Sequence, residues 1–187
     1  MRIGLALVAV AALAAITACS GSPAPKPAPS VPTMADDPID LTGLGAKPCT
    51  MLRPDQLAQF HIVAPGSTGT GPLSTASGTP VCTWQPLQSS EPVYAAAVDL
   101  RSGGLDALYQ RRVKLTKFGP VTVSGYPGVD TALAHGQCTV QIEVAKGVLL
   151  DAAVTVRDTE AADYGDPCSD AQSFAAAIIA NSQGQQP

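Results

Sequence analysis

Cys138-Thr139-Val140-Gln141-Ile142-Glu143-Val144-Ala145, then Lys146-Gly147, then Val148-Leu149-Leu150-Asp151-Ala152-Ala153-Val154-Thr155-Val156 is the stretch that decides the fold. Successive side chains of a strand point to opposite faces. In the first arm Cys138, Val140, Ile142 and Val144 therefore share one face, against Thr139, Gln141 and Glu143. In the second arm Val148, Leu150, Ala152, Val154 and Val156 share a face. Two such runs joined by two residues that include glycine predict an antiparallel hairpin.

Working outward, more short elements alternate. Val81 to Trp84 reads as a strand with Cys82 and Trp84 on the same side, and Tyr94, Ala96, Val98 and Leu100 alternate with Ala95, Ala97 and Asp99. Val121 and Val123 open another strand, and Gly125-Tyr126-Pro127-Gly128 turns it into Val129–Leu133. Gly66-Ser67-Thr68-Gly69-Thr70-Gly71 reads as a loop; it lacks the Lys-Ser/Thr of a phosphate-binding loop.

Three helices are predicted. Pro54 suits a first turn, with Leu57 and Phe60 three apart on one face. A second runs from about Leu105 to Val113 through Leu105, Leu108 and Arg112. The last has the clearest start: Asp166 as N-cap, Pro167 at the first helical position and Asp170 near the positive end of the dipole. Its apolar stripe is Ala171, Phe174, Ala175 and Ile178, and Asn181 to Gly184 ends it. Paired strands with short turns and scattered helices give an α+β expectation, an antiparallel sheet with helices packed on it.

The whole chain has 187 residues, a formal charge of -4, 17 prolines, 17 glycines and five cysteines, with 4% aromatic residues. The acidic balance argues against nucleic-acid binding, which needs clustered Lys and Arg against phosphate. Composition also excludes collagen, coiled coils and multi-span membrane proteins.

The N-terminus reads as an address. Arg2 precedes an apolar run from Ile3 to Ile16, shorter than the ~20 residues of a spanning helix and suited to a secretory signal. The run ends in Ile16-Thr17-Ala18-Cys19, an aliphatic residue and two small ones before a cysteine, as a lipoprotein signal requires. The Cys19 thiol would take a diacylglyceryl group, and cleavage before it would remove residues 1–18. Two acyl chains give stable anchoring because each buried CH₂ contributes about 0.8 kcal/mol. Ordinary secretion with cleavage nearby is the runner-up.

From Ser20 to Pro48 the chain holds seven prolines among Ser, Ala and Thr. Such a stretch samples extended polyproline II and makes a semi-rigid spacer. The expected organisation is a signal at 1–18, a lipidated Pro-rich tether at 19–38, one extracytoplasmic domain at 39–182 and a flexible tail at 183–187.

Four cysteines follow the anchor: Cys49, Cys82, Cys138 and Cys168. Four cysteines allow three pairings. Cys138 lies on the inward face of its strand. Cys168, three residues before Ala171 and seven before Ala175, joins the inward stripe of the last helix. A helix covering that sheet brings the two together, which leaves Cys49 for Cys82. Each bridge would close a loop of about 30 residues, for roughly 3–4 kcal/mol in the chain-entropy picture. Zinc is the rival, yet no pair has the close spacing of a structural site; free buried thiols are the other alternative.

No metal, cofactor or catalytic motif is legible. The two histidines, His61 after Phe60 and His135 before Gly136, have no nucleophile in a recognisable frame. Asp158, Glu160, Asp163, Asp166 and Asp170 miss the EF-hand spacing. Arg111, Arg112, Lys114 and Lys117 read as an exposed helix side. A carbohydrate platform would have to rely on Trp84, Tyr94, Tyr109, Tyr126 or Tyr164, and Trp84, next to a cysteine, reads as core.

Pro48-Cys49-Thr50-Met51-Leu52-Arg53-Pro54-Asp55-Gln56-Leu57, Cys82-Thr83-Trp84, Gln137-Cys138-Thr139-Val140-Gln141-Ile142 and Asp166-Pro167-Cys168 before an Ala-rich helix together resemble a family of actinobacterial envelope lipoproteins. These are of the LprB and LprC type and carry a domain of unknown function. The resemblance spans nearly the whole domain and implies an envelope lipoprotein with paired cysteines; it implies no catalytic residues. The order of elements is also similar to that of PsbP/Mog1-type α+β domains, a fold-level likeness.

The expectation is a lipid-anchored protein on the extracytoplasmic face of the cell membrane. It would be a non-enzymatic module binding an envelope lipid, glycan or protein. The alternative is a hydrolase or transferase of envelope polymers using His61 or His135 with acidic partners. That alternative requires one histidine in a cleft beside Asp, Glu or Ser.

Overall fold

The computed structural model describes residues 30–34, 37–62, 65–69, 73, 79–88, 90–100, 103–112, 115, 117–132, 136–157 and 164–184. Cys19, Lys114, His135, Asp158, Glu160 and Asp163 lie outside the described residues.

The hairpin forms as its alternation predicts: β6 (Gln137–Ala145) pairs antiparallel with β7 (Val148–Thr155), with Cys138 opposite Val154 and Ile142 opposite Leu150. Around it, β1 (Ser67–Gly69), β2 (Val81–Trp84), β3 (Val93–Asp99), β4 (Lys117–Val123) and β5 (Tyr126–Ala132) complete one sheet. Its order is β1-β2-β3-β7-β6-β5-β4, and every pairing is antiparallel. Among the described residues four helices accompany it: α1 (Thr42–Ala46), α2 (Pro54–Gln59), α3 (Gly104–Arg111) and α4 (Pro167–Gln183). The fold is α+β, an open antiparallel sheet with helices laid on it.

Three local readings shift. Ser67–Gly69, expected as loop, forms the edge strand β1 by pairing with Val81–Thr83. The turn between β4 and β5 is tighter than expected, at Ser124 and Gly125 with φ of 52° and 87°, so Tyr126–Gly128 already belong to the strand. The segment before α2 also holds structure with no sequence signal, α1 and a 3-10 turn at Pro48–Thr50.

One face of the sheet carries the main core. Tyr94, Ala96 and Val98 of β3, Leu150, Ala152 and Val154 of β7, and Cys138, Val140, Ile142 and Val144 of β6 lie under α4, which contributes Ala171, Phe174, Ala175, Ile178 and Ile179. Asp166 caps α4 as predicted, its Oδ1 accepting from the Cys168 amide at 3.1 Å. Gln56 and Asn181 tie α2 to α4: the Gln56 amide donates to Ala177 O at 2.9 Å, and that of Asn181 to Met51 O at 2.9 Å.

The opposite face is buried too, although its residues are more polar. α3 lays Leu105, Leu108 and Tyr109 against Val129 and Leu149. Asp99, Gln141, Glu143 and Asp151 are buried with them. Gln141 donates to Asp151 Oδ1 at 3.0 Å, and Glu143 accepts from the Gly147 amide at 2.8 Å. Glu143 also accepts from the Leu105 amide at the start of α3, satisfying a donor that the first helical turn leaves open.

The N-terminal segment crosses from one face to the other. Val31 packs on the α3 side. Asp37 O accepts from the Tyr126 hydroxyl, the Ile39 amide donates to Val144 O at 2.9 Å, and Ile39 and Leu41 then enter the α4-side core.

Cys49 is joined to Cys82 and Cys138 to Cys168, each with Cα atoms 5.0 Å apart. Side-chain parity explains both pairs. Cys138 and Cys168 meet between sheet and helix, and Cys82 points from the same face of β2 toward the 3-10 turn that holds Cys49.

Candidate functional site

Three elements converge at one end of the α4 side. α2 ends at Gln59, and Phe60 and His61 follow it, His61 turning the chain with a φ of 52°. Ile62 bridges Pro86, and the Leu87 amide donates to His61 O at 2.9 Å, so the segment before β3 is folded back onto the end of α2. A turn at Gln88–Glu91 follows, in which the Glu91 amide donates to Gln88 O and Glu91 Oε2 accepts from the Gln88 amide. These contacts place Glu91 Oε1 2.7 Å from His61 Nδ1.

Tyr164 and Asp170 come from the start of α4, the Tyr164 hydroxyl donating to Asp170 Oδ2. Together Gln59, Phe60, His61, Ser90, Glu91, Pro92, Tyr94, Tyr164 and Asp170 line an open groove of about 360 Å³. That volume lies at the lower end of the ~300–1,000 Å³ range of small-molecule sites.

The groove has an aromatic floor continuous with the core. Phe174 lies below it, 4.9 Å from Tyr94 and 5.3 Å from Phe60 between ring centroids, and it meets Trp84 edge-on at 5.5 Å. Tyr94 is only 5% exposed, yet it lines the groove, and its hydroxyl has no hydrogen-bond partner among the described residues. Burial, followed by the charges of Asp170 and Glu91, pushes the Tyr94 phenol up to about 12. Burial also raises the Tyr164 phenol, helped by its bond to Asp170. Both stay protonated at any ordinary pH.

The other site residues read from sequence do not converge. Arg111 Nε donates to Ala107 O and Arg112 to Tyr109 O, while Lys117 turns toward α4, 3.0 Å from Cys168 Sγ and 3.7 Å from Asp166 Oδ1. Trp84 is wholly buried core. Tyr109 packs edge-on against Phe118 on the α3 side, and Tyr126 holds Asp37. Of the five aromatic residues considered for a carbohydrate platform, Tyr94 and Tyr164 meet in the groove.

Asp130, Cys138 and Cys168 place potential metal-ligand atoms within 4.8 Å of one another. The two sulfurs are consumed by their disulfide and offer no thiolate.

Residues 14–181 match the family described as protein of unknown function (DUF3558). The chain belongs to that family. The match begins inside the apolar run before Cys19 and ends near the close of α4, so the DUF3558 region contains all five cysteines and every groove residue. No curated protein and no solved structure matches the chain.

Sequence reading missed the groove of this DUF3558 chain as a unit. His61 and Glu91 are 30 residues apart, and Glu91 carries no motif. Tyr164 and Asp170 sit six residues apart at a helix start, where Asp170 already had a sufficient role beside the dipole. The only available signal was Tyr94, an aromatic residue on the inward parity of a strand near its beginning.

Proposed function

We propose that the chain is an envelope lipoprotein of the LprB and LprC type, held on the extracytoplasmic face of the cell membrane by acylated Cys19. Its folded domain binds a partner molecule in the His61–Tyr94–Asp170 groove without chemically changing it. The groove carries the reading: an aromatic floor, a buried phenol whose hydroxyl has no described protein partner, and two carboxylates, opening to solvent. Few convergent polar groups over apolar walls are what a small-molecule site requires.

Three observations support the anchor and the location. Ile16-Thr17-Ala18-Cys19 closes an apolar run of signal length, the Pro-rich tether follows, and two disulfides suit an exported domain.

Replacing Cys19 by Ala tests the anchor. The native chain, extracted from membranes in detergent, should begin at Cys19 and carry a diacylglyceryl thioether in its intact mass. The Cys19→Ala chain should lose both the added mass and membrane retention. An unmodified Cys19 thiol on the native mature chain would remove the anchor.

A second reading has one specific observation behind it. His61 does lie in a cleft beside Glu91, with Ser90 on the same wall, the arrangement a histidine-dependent hydrolase or transferase would need. The carboxylate would orient the imidazole and the opposite nitrogen would act as base. Binding is placed first because the aromatic floor and the Tyr94 hydroxyl serve recognition and have no part in a reaction carried by His61 and Glu91.

A further inference from the structure

The groove's unused hydrogen-bonding groups specify a class of ligand. This inference deepens the binding reading and rests on the groove being the binding site. Glu91 is engaged on both oxygens, by His61 and by the Gln88 amide. Asp170 spends Oδ2 on Tyr164, while Oδ1 has no hydrogen bond to a described residue. The Tyr94 hydroxyl is likewise open to the groove. A ligand therefore meets an acceptor at Asp170 and a hydroxyl at Tyr94, with Gln59, Ser90 and the far ring nitrogen of His61 also on the walls, over the rings of Phe60, Tyr94 and Tyr164.

Each ligand class answers this set differently. An anion offers acceptors alone; it could take hydrogen bonds from Gln59, Ser90 or Tyr94, but it lies against the Glu91 and Asp170 carboxylates, which repel it and leave the free Asp170 oxygen without a donor. An ammonium group offers donors alone; it suits the carboxylates and ring faces but cannot accept from the phenol. A hydroxylated ring donates to the carboxylate, accepts from the phenol, and lays its C–H face on an aromatic side chain.

We propose that the groove binds an uncharged saccharide, one ring hydroxyl donating to Asp170 and another accepting from Tyr94. The ring would stack on the aromatic wall of Phe60 and Tyr164. Such a ligand would be an envelope glycan or a glycolipid headgroup; the shared chemistry is the neutral sugar ring. A phosphorylated or uronate polymer is disfavoured by the same carboxylates.

Calorimetric titration of the full chain, in a detergent without a sugar headgroup, tests this. The probes are neutral gluco-, manno- and galacto-tetraoses, tetragalacturonate and tetramethylammonium chloride. At least one neutral tetraose should bind. Tetragalacturonate should bind at least tenfold more weakly. Tyr94→Phe, which keeps the ring and removes only the hydroxyl, should weaken the neutral sugar about tenfold, as loss of one well-placed hydrogen bond does. An unchanged melting temperature would show that the Tyr94→Phe chain is folded. Addition of the neutral tetraose attached to a lipid should compete with the free sugar if the source is a glycolipid.

Tetragalacturonate binding as tightly as the neutral sugars, or Tyr94→Phe binding the neutral sugar unchanged, would overturn the saccharide assignment. Tetramethylammonium binding alone would overturn it too while leaving the groove as a binding site. No binding in any arm would remove both the saccharide and the binding reading.

Discussion

The ring of Tyr94 lies on that of Phe174, with centroids 4.9 Å apart and planes inclined by 37°. Phe174 in turn meets Phe60 and Trp84 edge-on, at 5.3 and 5.5 Å, so one fully buried side chain of α4 supports the groove floor and the sheet core together. Site and stability are therefore coupled through this residue. Phe174→Ala should cost about 3–5 kcal/mol, the range for truncating a buried phenylalanine. Denaturant unfolding followed by the fluorescence of Trp84, the chain's one tryptophan, should show the lower midpoint. The milder Phe174→Leu should stay folded and still weaken ligand binding, because Tyr94 loses its ring partner.

The disulfides staple the parts that hold the groove. Cys138–Cys168 closes a separation of 30 residues and fixes α4 to β6; Cys49–Cys82 closes 33 and fixes the segment before α2 to β2. Removing either pair by double replacement with Ala should cost roughly 3–4 kcal/mol by the chain-entropy estimate. Unreduced peptide mapping should recover these two links, and a Cys49–Cys138 peptide would contradict the register between α4 and the sheet.

Asp130 predicts a pH dependence. It is buried on β5, with Oδ2 accepting from Gln172 at 2.8 Å and Oδ1 without a partner. Burial raises its pKa, and the Gln172 hydrogen bond and the nearby Lys117 charge only partly oppose that. A carboxyl whose folded pKa lies above its unfolded value of 3.8 favours the fold when protonated. That contribution is fully present below 3.8 and is lost as pH rises through the folded pKa. Thermal melts across this window should show Asp130→Asn with a flatter profile than the native chain. A profile unchanged by the substitution would place the pH dependence elsewhere.

Gly66 predicts a steric constraint beside the first disulfide. A Cβ at this position would strike Cys82 Sγ and lie 2.7 Å from Trp84 Nε1. Both targets are wholly buried and cannot swing away. Gly66→Ala should cost about 1–3 kcal/mol, as overpacking does, and should shift Trp84 emission in the folded state. Gly69, whose Cβ would meet nothing within 4 Å, is the matched control.

Much of the fold was legible because its signals are local. Period-two alternation in Cys138–Val144 and Val148–Val156 gave the hairpin, Asp166-Pro167 gave the start of α4, and parity gave the cysteine pairs. β1 was not legible, since Ser67-Thr68-Gly69 has no apolar pattern and becomes a strand only through pairing with β2. Burial of Asp99, Gln141, Glu143 and Asp151 was equally hidden. Polar residues at alternate positions signal a solvated face unless another element covers them, and α3 does. The groove was least legible: His61 meets Glu91 only because Leu87 and Pro86 fold back onto His61 and Ile62, contacts made by backbone atoms that any sequence possesses.

Incubation of the full chain with isolated envelope glycan, with soluble products followed by mass spectrometry, decides whether the groove binds or catalyses. The account predicts glycan recovered unchanged, with native and His61→Ala chains giving identical spectra. Shortened or newly joined glycan that appears with the native chain and vanishes with His61→Ala would contradict it.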